Sequence, residues 1–106
     1  MVIDMGEKEL RLMEYYITTG IKDQIPIEIQ IFCWKCYEAC KLKGKCDYLH
    51  VFDLKILNQN IQQIEHRQEV PTYKKIHHMP SNSPISEKIF IIDEGEYIMM
   101  MLGNEY

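Results

Sequence analysis

The chain has 106 residues, 46% hydrophobic and 26% charged, with 12 Lys and Arg against 16 Asp and Glu for a net charge of −4. A chain of this size buries roughly 65% of its unfolded surface, enough for one core and too little for two, so residues 1–106 read as a single domain. Collagen-like, disordered and coiled-coil classes fail on composition, and the mild acidity argues against a protein that holds nucleic acid directly by neutralising phosphates.

Met1 to Arg11 carries acids and lacks the apolar stretch of a signal peptide, so it reads as a flexible lead. No apolar run approaches the roughly 18 residues of a membrane span, which points to a cytosolic protein with no membrane partner. From Leu12 to Thr19, Met13, Tyr15 and Ile17 alternate on one side, the period of a first strand, although Lys8 to Tyr16 also fits a helix. Gly20 punctuates the chain. Pro26 and Glu28 suit a first helical turn, and a helix over about 26–42 follows, closed by Gly44 in a left-handed backbone position. The cluster Lys41, Lys43 and Lys45 complements the negative end of that helix.

At 100° per residue, Ile29, Phe32, Cys33, Cys36, Ala39 and Cys40 share one broad helix face, the stripe expected to lie on a sheet. Ile27, Ile31 and Trp34 form a second, narrower stripe on the opposite side. A helix apolar on two sides needs two neighbours. The second is either the N-terminal segment of the same chain or the same helix of another copy in a homodimer.

Tyr48, His50, Phe52, Leu54 and Ile56 alternate as a second strand over 47–57, and Asn58-Gln59-Asn60 supplies a turn. Ile61 to Val70 reads as a third strand, polar enough for an edge, where Pro71 would fit; Tyr73 to Met79 continues as an extended segment. Residues 80–86, with Pro80 and Pro84 around Ser81-Asn82-Ser83, mark a surface loop. Ile89 to Ile92 and Tyr97 to Leu102 flank Asp93-Glu94-Gly95-Glu96 and read as a hairpin, central in the sheet and buried on both faces. The predicted fold is a two-layer α+β domain of order β-α-β-β-β-β, with one main helix on an antiparallel sheet of about five strands.

Cys33, Cys36, Cys40 and Cys46 form a C-x2-C-x3-C-x5-C series, and thiolates are ligands for zinc and iron. The spacing is neither a ferredoxin pattern nor a pair of zinc knuckles, and three of the four fall on the predicted helix, where Cys serves as a small hydrophobe. Buried thiols are therefore the preferred reading, with no cofactor; zinc held by these four cysteines, or thiol exchange through Cys33 and Cys36, is the alternative. His50, His66, His77 and His78 complete a Cys/His site only where the fold brings them to the helix. His50 itself reads as a satisfied, partly buried histidine. No phosphate-binding loop, dinucleotide fingerprint, H-E-x-x-H or G-x-S-x-G occurs, and the sequence gives no catalytic residue, so an enzyme is not expected. The carboxylates of Asp93, Glu94 and Glu96 read first as a solvated turn, and Tyr106 as a residue that packs the tail down. Their functional reading is an acidic docking surface for a basic protein.

Taken in order, Tyr16, Thr19-Gly20-Ile21, Ile25-Pro26-x-Glu28-Ile29-Gln30, Asp47-Tyr48-Leu49-x-Val51-Phe52, Gln68-Glu69-Val70-Pro71-x-Tyr73, Ile92-Asp93-x-Gly95-Glu96, Met100-x-Leu102 and Glu105-Tyr106 form a pattern. It resembles domain-of-unknown-function family 960, small cytosolic proteins of Gram-positive bacteria and their mobile elements. The resemblance implies a small α+β fold and no catalytic residue. It also implies ordinary apolar residues where this chain has Cys33, Cys36 and Cys40, a departure that favours buried thiols over metal. The expected function is a non-enzymatic protein-interaction module using Ile27, Ile31 and Trp34, with Asp93, Glu94 and Glu96. A sharper form is a mobile-element inhibitor acting on a basic, nucleic-acid-handling protein.

Overall fold

The computed structural model describes residues 14–44 and 46–106, so the lead expected over 1–11 and the part played by Lys45 lie outside the described residues. The elements are β1 (Glu14–Ile17), α1 (Thr19–Gln24), α2 (Ile27–Leu42), β2 (Leu49–Asn58), β3 (Ile61–Gln68), β4 (Tyr73–Pro80), β5 (Glu87–Asp93), β6 (Tyr97–Leu102) and a closing 3-10 turn (Gly103–Glu105). The six strands form one sheet in the order β1-β6-β5-β2-β3-β4. All neighbours are antiparallel except β1 and β6, which run parallel from Glu14 opposite Tyr97 to Ile17 opposite Met100.

The α+β class, the two layers and the one main helix hold, while the antiparallel sheet of about five strands is a mixed sheet of six and a short second helix, α1, joins the main one. The sixth strand is β4, whose side chains are largely exposed, so it lacks the alternation that marks a half-buried strand. It pairs along the whole of β3, which places β3 inside the sheet rather than at its edge. Pro71 falls in the turn between them. Helix α1 stands where Gly20 alone suggested a break; six residues are too few to show a 3.6-residue period. Thr18 caps it by accepting from the Ile21 amide at 3.3 Å. Gly20 is there because the chain passes close to the C-terminus: a Cβ would meet Glu105 Oε2 at 2.6 Å and Leu102 Cδ1 at 2.8 Å.

One sheet face lies under the helices. Phe52 and Leu54 of β2, Ile64 of β3, Ile89 and Ile91 of β5, and Ile98, Met100 and Leu102 of β6 are all buried there. Helix α2 contributes Ile29, Gln30, Cys33 and Tyr37. The expected face is therefore rotated: Ile29 and Cys33 are buried, Phe32, Cys36 and Cys40 are half-buried, and Ala39 is exposed. Gln30 is buried because its Nε2 donates to the carbonyls of Ile21 (3.3 Å) and Ile25 (2.8 Å), closing the C-terminal end of α1. Tyr37 turns inward to pack edge-on against His50 of β2, with ring centroids 5.1 Å apart.

The hairpin β5–β6 is central, as expected, but only one of its faces is fully covered. On the other, Phe90, Met99 and Met101 stay half-exposed, and Ile92 alone is buried. Tyr106 packs edge-on to Phe90 with ring centroids 5.2 Å apart. The firmer tie at this end is Glu105, whose Oε1 accepts from the Thr18 hydroxyl (2.6 Å) and the Leu102 amide (2.8 Å). Burial of a core side chain such as Phe52 or Ile89 contributes about 1.5–3 kcal/mol. No described helix is long and apolar enough to cross a membrane.

Candidate functional site

Two regions stand out, one on each flank of α2. The first is a groove of about 590 Å³ between α2 and the edge strand β1, lined by Ile27, Ile31 and Trp34 from the helix and Tyr15, Tyr16 and Ile17 from the strand. The sequence left two neighbours open for this stripe. The structure gives part of it to the same chain: Trp34 packs on Tyr15, with ring centroids 4.8 Å apart. Ile27 and Ile31 keep 59% and 47% of their surface exposed, so this face is only partly covered by described residues. Among those residues, no strand lies beyond β1.

The acidic turn sits beyond one end of this groove. Strand β1 begins opposite Tyr97, and burial together with the nearby carboxylates of Glu38 and Asp93 raises the pKa of Tyr15. Asp93 itself is half-buried; it pairs with Lys41 at 3.7 Å and accepts from the Gly95 amide at 2.8 Å. Glu94 and Glu96 are exposed. Of the expected docking residues, Ile27, Ile31, Glu94 and Glu96 are thus accessible, Trp34 is half-buried, and Asp93 is engaged in the turn.

The second region is a thiol–imidazole cluster. Gly44, at φ +80°, lets the chain reverse just past α2, with Lys43 donating to the Cys40 carbonyl and Gly44 to that of Lys41. This return brings Cys46 and the start of β2 alongside the last turn of the helix. Ligand atoms of Cys40, Cys46 and His50 all lie within 4.8 Å of one another. Cys46 Sγ is 3.1 Å from His50 Nε2, and His50 Nδ1 is 2.7 Å from His66 Nε2. His66 lies flat on Phe52, with centroids 4.3 Å apart. Cys40 donates to Gln68 Oε1 at 3.5 Å; the same oxygen accepts from the Asp47 amide, while Gln68 Nε2 donates to the Pro71 carbonyl.

The four cysteines do not converge on one point. Cys33 is fully buried in the core, and Cys36 faces His77 of β4 across 4.0 Å. Cys33 and Cys36 stand outside the Cys40, Cys46 and His50 group, and no disulfide joins any of the four. Burial pushes the Cys36 thiol up to about 11, and burial reinforced by Cys40 pushes Cys46 up to about 12, so both are protonated thiols near neutral pH. Burial lowers His50, and burial with the neighbouring His50 and His77 lowers His66 to about 3, so both rings are neutral. A Cys/His site requires histidines that reach the helix. His50 and His77 both reach it, on different strands.

Two buried polar side-chain atoms among the described residues have no hydrogen-bond partner: Tyr37 Oη and His66 Nδ1. Both residues pack against His50, Tyr37 edge-on at 5.1 Å and His66 at 5.0 Å between centroids. Burial, and after it the nearby Asp93 carboxylate, raises the pKa of the Tyr37 hydroxyl. Tyr37 lies off the expected helix face, and His66 is, from the sequence, only a conditional member of a Cys/His site, so neither is singled out by periodicity.

No curated protein matches the chain. A crystal structure of a protein of unknown function from Enterococcus faecalis has the same fold, with a TM-score of 0.73 and 23% identity over 89% of this chain and 91% of that one. The family described as "Staphylococcal protein of unknown function (DUF960)" matches residues 14–105, which include the whole sheet, both helices and both regions described above. With nearly all of its length covered, the chain belongs to that family.

Proposed function

We propose that this protein is a non-enzymatic binding module that docks a protein partner in the groove between α2 and β1. The observation that carries the reading is the persistent exposure of Ile27 and Ile31 in a concave, apolar surface beside an edge strand. Such a surface suits an extended apolar segment of the partner, laid along β1 with its side chains against α2. Glu94 and Glu96 beyond the end of the groove favour a partner with basic residues next to that segment, such as a nucleic-acid-handling protein. A second copy of this chain is the simplest alternative occupant, giving a homodimer.

Ile31→Glu tests the reading, because it places a charge in the middle of the groove at a side chain that is 47% exposed and dispensable for the core. Light scattering across a concentration series distinguishes the occupants: a wild-type dimer that Ile31→Glu makes monomeric identifies a second copy. A wild-type monomer whose photo-cross-linker at Ile31 captures a host protein, with capture lost in the variant and weakened by salt, identifies a separate basic partner. Unchanged mass together with unchanged cross-linking in the variant removes the groove from the account.

A further inference from the structure

We infer that Cys40, Cys46 and His50 form a binding site for a thiophilic divalent cation, with Zn2+ as its natural class. The site is distinct from the groove, and it replaces the four-cysteine set suggested by spacing with two thiols and one imidazole. In a tetrahedral zinc site with Zn–S near 2.3 Å and Zn–N near 2.0 Å, neighbouring ligand atoms stand about 3.5–3.8 Å apart. The three ligand atoms already lie within 4.8 Å of one another, so side-chain torsions alone bring them to that spacing. They come from the end of α2, from the turn after Gly44 and from β2, a clip set by the reversal of the chain.

The surroundings match what such a site needs. His50 presents Nε2 toward Cys46, while its Nδ1 is engaged with His66 Nε2 at 2.7 Å. A ligating histidine is ordinarily oriented this way by a partner on its second nitrogen. In the metal-free chain the Cys40 thiol donates to Gln68 Oε1, a bond given up when the thiol proton leaves on binding. Cys40 also lines a groove of about 340 Å³ open to solvent, which gives an ion a route in. Binding replaces two thiol protons by one cation: Zn2+ joins two thiolates and a neutral imidazole, two protons leave to solvent, and the half-buried complex carries no net charge. A water molecule completes the coordination in the way usual for sites with three protein ligands.

The test uses the full chain, reduced and stripped with chelator, then titrated with zinc chloride and separately with cobalt chloride. One zinc per chain retained through gel filtration and native mass spectrometry, with about two protons released per ion in weakly buffered calorimetry, is the expected result. Cobalt should give the intense visible bands of a tetrahedral site with sulfur-to-metal charge transfer in the near ultraviolet. Cys36→Ser should retain zinc as the wild type does, whereas Cys40→Ser and Cys46→Ser should each weaken retention at least tenfold. Absence of stoichiometric zinc in the wild type overturns the inference, as does retention that survives in both Cys40→Ser and Cys46→Ser or is lost in Cys36→Ser. If the serine variants fail to fold, the wild-type cobalt spectrum decides, since a site without thiolates lacks the charge-transfer band.

Discussion

Removing a single oxygen, by Tyr37→Phe, should make the metal-free protein more stable. Tyr37 is fully buried, its ring edge-on to His50 at 5.1 Å and to Trp34 at 6.4 Å, and its hydroxyl has no hydrogen-bond partner. Keeping a buried hydroxyl away from water without a partner costs about 1–3 kcal/mol. Phenylalanine preserves the ring contacts and leaves a void of roughly one oxygen, about 10–15 Å³, which at ~24 cal/mol per Å³ costs only about 0.3 kcal/mol. The net gain is about 1–2 kcal/mol, and for a domain of this size each kcal/mol raises the melting temperature by about 4–8 °C. Urea and thermal unfolding of the two chelator-treated proteins measure it directly. A variant destabilised by about 1 kcal/mol or more would refute the reasoning and identify Asp93 as a true hydrogen-bond acceptor for Tyr37. Asp93→Asn would then reproduce the loss.

Three further outcomes are expected. In the metal-free protein, His66 is held neutral with its folded pKa at about 3, below the unfolded value of 6.5, so its contribution is complete above pH 6.5 and is lost as pH falls toward 3. Stability should decline by about 1.4 kcal/mol per pH unit for each such histidine, and urea titrations between pH 6.5 and 5 should show a slope that flattens in His66→Leu. Gln62 is fully buried, donates to the carbonyls of Lys55, Gln63 and Ile85, and accepts from the Ile85 amide. Gln62→Leu strands those groups and should cost about 2–4 kcal/mol, read as a lower urea midpoint at unchanged slope. Cys33→Ser puts a hydroxyl where a fully buried thiol sits, so it should cost about 1–3 kcal/mol while leaving zinc retention intact, as mass spectrometry of the refolded variant would show.

Strong periodicity and turn chemistry were readable from the residues. The alternation of Phe52 with Leu54 and of Ile98 with Met100 marks strands with one buried face, and Gly44 marks the helix end at a φ of +80°. The direction of β1 was not readable, because four residues show a period but not a partner. Strand β4 was legible only as an extended segment over 73–79, because its exposure hides the alternation of a strand, and α1 was hidden by its length. The metal-ligand candidates were half legible. Cys40, Cys46 and His50 are visible as C-x5-C-x3-H, but the two C-terminal members were weighed apart because only the turn at Gly44 shows that the chain doubles back. Gln30 and Tyr37 were obscured for a different reason: Gln30 is buried against α1 and Tyr37 against His50 of β2, which is tertiary context and not pattern.

The pairing of β1 with β6 has a consequence for the order of assembly. Strands β2, β3 and β4 form a local meander that needs no distant partner, and β5 joins it through β2. Strand β1 must wait, since Glu14 to Ile17 aligns only with Tyr97 to Met100 near the other end of the chain. During synthesis from the N-terminus, α2 therefore exposes Ile27, Ile31 and Trp34 before the strand that walls in their groove has anything to pair with. The groove between α2 and β1 is therefore completed only once β6 has been made, and a chain lacking β6 leaves Ile27, Ile31 and Trp34 without the strand that walls them in.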